Sequence, residues 1–130
     1  MKLLALKTDV PEAELILLND DNIIASHSWQ AHRQLSDTIH RKVDDFLQGE
    51  QCSFADIDGL IIYKGPGSFT GIRIGFAYMQ ALVIAYQLPL VGANGDDWLA
   101  SGVEQLGQGN KPDSITPEYG SAAHTTTPKK

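Results

Sequence analysis

A short apolar run, Gly59–Tyr63, leads into Gly65-Pro66-Gly67-Ser68-Phe69-Thr70-Gly71. A long helical pattern follows, from about Thr70 to Tyr86, until Pro89 closes it. After the proline, Leu88–Gly92 reads as another strand. A strand, a glycine-rich turn, a helix and a strand leave little choice of topology. The two strands must be parallel, joined by a right-handed crossover.

The residues before this unit read as three strands and a helix. Lys2–Leu6, Glu14–Leu18 and Asn22–Trp29 are the strands, and Asn19-Asp20-Asp21-Asn22 supplies turn chemistry for a hairpin. Ser36 is an N-cap candidate for a helix reaching about Gln48, with Gly49 as its stop. Its apolar stripe is Leu35, Ile39, Val43, Phe46 and Leu47. The expected fold is therefore α/β, a mixed five-stranded sheet with two main helices. That order suggests the ribonuclease-H-like layout, shared by actin-like ATPase lobes.

Composition shifts near Gly95. From Ser101 to Lys130 the bulky apolar residues thin to Val103, Leu106, Ile115 and Tyr119, among Gly, Pro, Ser and Thr. Such a stretch buries too little to offset the entropy of ordering it. The expected division is a ribonuclease-H-like lobe over 1–100 and a largely irregular tail over 101–130, with one short helix near Asp96–Leu106. With 130 residues, 42% apolar and 20% charged, the chain is long enough for one core. The net charge of −6, with no Lys/Arg cluster except Lys129-Lys130, disfavours direct binding to a phosphate backbone. One cysteine, Cys52, excludes an internal disulfide and a Cys-only zinc site. The opening residues do not resemble a signal peptide, and the longest uncharged stretch, Ile74 to Val91, holds Gln80, Gln87 and Pro89. The expected setting is a reducing cytoplasm without membrane contact.

The glycine-rich turn matches neither common phosphate-binding fingerprint. No lysine follows Gly71, and a dinucleotide pattern would need glycine where Thr70 stands. On spacing alone it is a tight strand-to-helix turn, with Ser68 or Thr70 as cap. No two of His27, His32, His40 and His124 are three or four residues apart, so no helical metal pair is present. Adjacent acids point in different directions. Asp20-Asp21 therefore reads as turn, Asp44-Asp45 as solvated face and Asp96-Asp97 as capping. Ser68 has no His/Asp relay in its own segment. The acidic neighbours of Cys52 would raise its pKa, which argues against a nucleophile. No catalytic residue and no metal ligand is assigned.

As a whole word, GPGSFTGIRIG resembles the signature of the TsaB family, also called YeaZ. Arg33-Gln34-Leu35-Ser36 with the helix behind it, Phe54-Ala55-Asp56-Ile57-Asp58-Gly59-Leu60 and Leu88-Pro89-Leu90-Val91-Gly92 extend the resemblance over roughly Leu3 to Ala100. It implies a noncatalytic scaffold subunit of the complex that makes N6-threonylcarbamoyladenosine at position 37 of tRNA. Its partners would be a TsaD-like catalytic subunit and, in the larger complex, a TsaE-like ATPase, with tRNA met mainly through the complex. ATP and metal would belong to the partner subunits, with no cofactor in this chain. Signature-loop residues are Gly65, Pro66, Gly67, Ser68, Phe69, Thr70, Gly71 and Arg73. There are departures from the family's pattern. The first strand ends Leu6-Lys7-Thr8 where Ile-Asp-Thr is usual, and in ATP-binding relatives that Asp faces phosphate and metal. The chain has room for one lobe where the family has two, while Ile115–Gly120 and Pro128–Lys130 vaguely resemble the family's C-terminal segment.

At 100° per residue the helix over Thr70–Tyr86 has two apolar faces. Ile72, Phe76, Met79, Val83 and Tyr86 suit the sheet, while Ile74, Ala77, Tyr78, Ala81 and Ala85 form a second face with small residues. Either the first helix covers that second face or a partner does. The resemblance favours a partner, with contacts from Ile39, Val43, Ile74, Ala77, Tyr78 and Ala81. Two alternatives stand beside it. One is a nucleotide- or phosphate-binding enzyme of the actin-like ATPase superfamily that uses the glycine-rich turn. The other is a homodimer that shares the helix face.

Overall fold

The computed structural model describes residues 1–31, 34–67 and 69–108. Five strands form one sheet: β1 (Lys2–Lys7), β2 (Glu12–Asn19), β3 (Asn22–Gln30), β4 (Gly59–Tyr63) and β5 (Leu90–Ala93). The spatial order is β3-β2-β1-β4-β5. β1–β2 and β2–β3 are antiparallel hairpins, whereas β1–β4 and β4–β5 are parallel. The helices are α1 (Leu35–Gly49), α2 (Phe69–Tyr86) and α3 (Trp98–Gly107).

The central strands are apolar along their whole length because both faces of the sheet are covered. Leu4, Leu6, Leu15, Leu17, Leu60 and Ile62 face the layer that holds α1 and α2. Leu3, Ala5, Ile16, Leu18, Ile61 and Val91 face the opposite layer, where α3 contributes Trp98 and Leu106.

The short helix expected near Asp96–Leu106 is α3, ten residues long, and it completes the second layer. Other expectations are corrected. A boundary after residue 100 would cut through α3, and Leu106 is buried beside Leu3. The packed lobe therefore extends through α3, while 109–130 lie outside the described residues. α1 begins at Leu35, so Ser36 lies inside it, and the N-cap residue Gln34 makes no side-chain capping bond. Asp97 holds the N-cap position of α3 but likewise makes no such bond. β2 starts at Glu12 and β5 at Leu90, because strand ends follow the pairing register rather than composition.

Candidate functional site

The C-terminal end of β1 meets the glycine-rich turn. Thr8, next after the strand, is buried, and its hydroxyl donates to the carbonyl of Gly71 at 2.7 Å. Gly75, one turn further along α2, lies flush against the Thr8 side chain, so a Cβ there would overlap Thr8 Oγ1. Gly67 lies flush against Asp9 in the same way. The Tyr63 hydroxyl donates to the carbonyl of Pro66 at 2.8 Å. The turn is thus fixed to β1 on one side and to the end of β4 on the other.

Lys7 adds a charge contact. Its ammonium donates to Asp9 Oδ1 at 2.6 Å and lies 4.6 Å from the centroid of the Tyr63 ring. Opposite charge and the negative face of the ring hold it in place. The carboxylate beside Gly67 leaves the turn facing an anion on this side. Of the signature residues, Gly65, Pro66, Gly67, Gly71 and Arg73 are described, as is the backbone of Phe69 and Thr70 in the first turn of α2. Ser68 lies outside the described residues.

The second element of the site is the outer face of α2. Ala77, Ala81 and Ala85 are exposed, Ile74 is half-buried, and Ile84 is 80% exposed. Arg73 and Thr70 stand at the N-terminal end, where they line a shallow groove with Ile74 and Ala77. α1 packs against α2, with Asp44 of α1 near Tyr78. Tyr78 of the expected face thus meets α1, while Ala77, Ala81, Ile84 and Ala85 are left exposed.

Three of the six expected contact residues, Ile39, Val43 and Tyr78, pack within the chain itself, Tyr78 partly buried beside α1. Ile39 and Val43 are 3% and 0% exposed and lie in the chain's own core, so they are not available to a partner. Tyr86, assigned to the sheet side, is 48% exposed and stacks on Phe54 at 4.7 Å, while Leu82 takes the core position. Ile84 was missed, although it follows Ala77 and Ala81 at the i+7 and i+3 spacing of one helical stripe. Thr8, Asp9 and Gly75 were also missed.

Tyr78 sits in the seam between α1 and α2. Burial pushes its phenol pKa up, and the Asp44 carboxylate and Tyr86 add to the rise. The native state then holds its proton above about pH 10, where an unfolded tyrosine releases it. Above that pH the unfolded chain binds fewer protons, so stability falls as pH rises. Tyr78→Phe should reduce this alkaline loss. Melting curves at about pH 8 and about pH 11 should show the variant gaining on the wild type at the higher pH; a constant gap would place the phenol in water. The Cys52 thiol is likewise pushed up, chiefly by burial; Lys2 opposes the rise, and Asp56 and Glu50 add smaller contributions to it. Among the described residues no cluster of three metal-ligating side chains occurs.

The family model described as "TsaD: tRNA N6-adenosine threonylcarbamoyltransferase" matches residues 23–126, most of the chain. The tRNA threonylcarbamoyladenosine biosynthesis protein TsaB of Escherichia coli K12 is 35% identical over 94 residues, covering 72% of this chain and 40% of the relative. The solved structure of YeaZ from Pseudomonas aeruginosa superposes with a TM-score of 0.66 at 29% identity, covering 72% of this chain and 43% of that one. The chain belongs to the TsaB/YeaZ family. It spans about two-fifths of the length of these relatives. A Thermus thermophilus RuvC, solved with a Holliday junction, superposes with a TM-score of 0.54 at 7% identity, over 88% of this chain and 83% of that one. That likeness concerns the fold alone and agrees with the ribonuclease-H-like layout.

Proposed function

We propose that this chain takes part in making N6-threonylcarbamoyladenosine at position 37 of tRNA, as a noncatalytic scaffold that binds a TsaD-like catalytic subunit. One observation carries the reading: the outer face of α2 offers Ile74, Ala77, Ala81, Ile84 and Ala85 with a single charged residue, Arg73, at its edge. Small side chains let a partner helix approach closely, and a contiguous exposed apolar face marks an interaction site. The clamped turn supports this role by fixing where α2 begins. In this reading the chain carries no cofactor, and ATP and metal reside in the partner subunits. A TsaE-like ATPase joins the assembly, tRNA is met through the complex, and the setting is the cytoplasm. Among the described residues no helix is long and apolar enough to cross a membrane.

Light scattering after size exclusion tests the proposal. The full chain mixed with the TsaD-like protein of the same organism should elute as a heavier joint species. Separate peaks at concentrations of about 50 µM, well above ordinary affinities for stable complexes, would overturn it. The nucleotide-binding alternative predicts heat of binding on titration with ATP and magnesium, which the scaffold reading does not.

A further inference from the structure

A groove runs between the last strand of the hairpins and the first helix. Ser26 and His27 of β3 form one wall. α1 supplies Lys42, Asp45 and Phe46 for the other, at the i, i+3 and i+4 spacing of one helical stripe, and Glu50 follows at its C-terminal end. Two carboxylates thus stand against one ammonium. Among the described residues neither Asp45 nor Glu50 has an ion-pair partner. The groove also holds stacked rings: that of His27 lies 6.3 Å from Phe46 and 6.0 Å from Trp29. The strand wall is itself open for pairing. β3 is nine residues long, and among the described residues its only strand neighbour is β2. It has no acidic residue, lysine, arginine or proline, the devices that usually blunt an edge. From Ala25 to Gln30 its pairing with β2 is regular, so the outer row of backbone donors and acceptors is regular too.

We infer that β3 accepts an extended, arginine-bearing segment of another protein as a sixth strand. Main-chain hydrogen bonds hold such a segment, and pockets beside the edge select its alternate side chains. Every second side chain of the added strand points to the α1 side, where the groove lies. An arginine there meets the excess carboxylate and the stacked rings together. Guanidinium suits both, because it pairs with carboxylates as a planar fork and stacks on aromatic faces. A glutamate or aspartate at the same place would meet Asp45 and Glu50 as like charges. This surface lies at the sheet edge, apart from the outer face of α2, so it serves a contact separate from the one proposed for that helix.

Nuclear magnetic resonance titration of the full chain with a blocked octapeptide of alternating threonine and arginine, up to about 1 mM, tests the inference. Saturable binding is expected, with shifts at the β3 amides and along Lys42–Glu50. Hydrogen exchange should slow at the β3 amides that point away from β2. The same peptide methylated at every backbone nitrogen keeps its charge but loses its donors, and it should not bind measurably. A threonine–glutamate peptide should not bind either. Asp45→Asn/Glu50→Gln, at two exposed positions, should weaken binding at least about fivefold. Asp37→Asn/Asp44→Asn removes the same charge from α1 outside the groove and should bind as the wild type does. Circular dichroism shows that each variant is folded. No saturable binding of the threonine–arginine peptide, equal binding of its methylated form, or an unchanged affinity in Asp45→Asn/Glu50→Gln would each overturn the inference. So would β3 protection that grows with the concentration of the chain alone, which would give the edge to a second copy.

Discussion

The double variant Ala77→Glu/Ala81→Glu should lose measurable binding to the TsaD-like partner while keeping the fold. Both alanines are exposed on α2, so the substitutions remove nothing from the core. The propensity cost in a helix is at most about 0.7 kcal/mol each. In an interface the same two side chains would become unpaired buried carboxylates, each costing several kcal/mol. A loss of even about 3 kcal/mol is roughly a 100-fold weaker complex. Ala100→Glu on α3, exposed on the opposite layer, adds charge without touching the face and should bind as the wild type does. Titration calorimetry on the three proteins decides the matter. If the double variant bound with unchanged affinity, α2 would not be the docking surface, whatever the chain binds elsewhere.

Sequence patterning revealed the layers but not which neighbour covers each helix face. The stripe of Leu35, Ile39, Val43 and Leu47 says that α1 buries these positions. It does not say whether sheet or partner buries them, and the structure assigns them to the sheet. On α2 both faces are apolar, so periodicity alone could not rank Leu82 above Tyr86 for the core. The deciding fact is that Phe54, between α1 and β4, stacks on Tyr86 at the surface, while Leu82 is buried in the core. Ile84 was legible as a member of the alanine stripe once the 3.6-residue repeat is carried to the last turn.

The clamp was not legible, because its parts are far apart in the chain. Thr8 and Gly71 are 63 residues apart and meet only because β1 and β4 are parallel neighbours. Nothing in Lys7-Thr8-Asp9 as a string marks it as a packing element. The same geometry accounts for Lys7. Its ammonium has Asp9 and the Tyr63 ring as local partners, so a basic residue at the end of β1 leaves no buried charge unpaired.

The clamp yields the largest expected effect on stability. Gly75→Val should destabilise the lobe by about 3 kcal/mol, the upper end for overpacking a close contact. An added Cβ would overlap Thr8 Oγ1, whose hydroxyl is already committed to the Gly71 carbonyl, and the branched methyls would push α2 further from β1. For a domain of this size the melting temperature should fall by at least about 10 °C. Gly49→Ala, where an added Cβ meets nothing, should be neutral or slightly stabilising. Gly75→Ala separates the contact from general disruption. Alanine improves helix propensity by about 1 kcal/mol, which opposes the overlap and makes this variant milder. Thr8→Ala alone should cost about 1 kcal/mol through the lost hydrogen bond. In the Gly75→Ala background the same change removes the overlap, so it should cost less or even stabilise, and the cycle should show a coupling of at least about 0.5 kcal/mol. Strictly additive effects would mean that α2 and β1 do not meet through these two side chains.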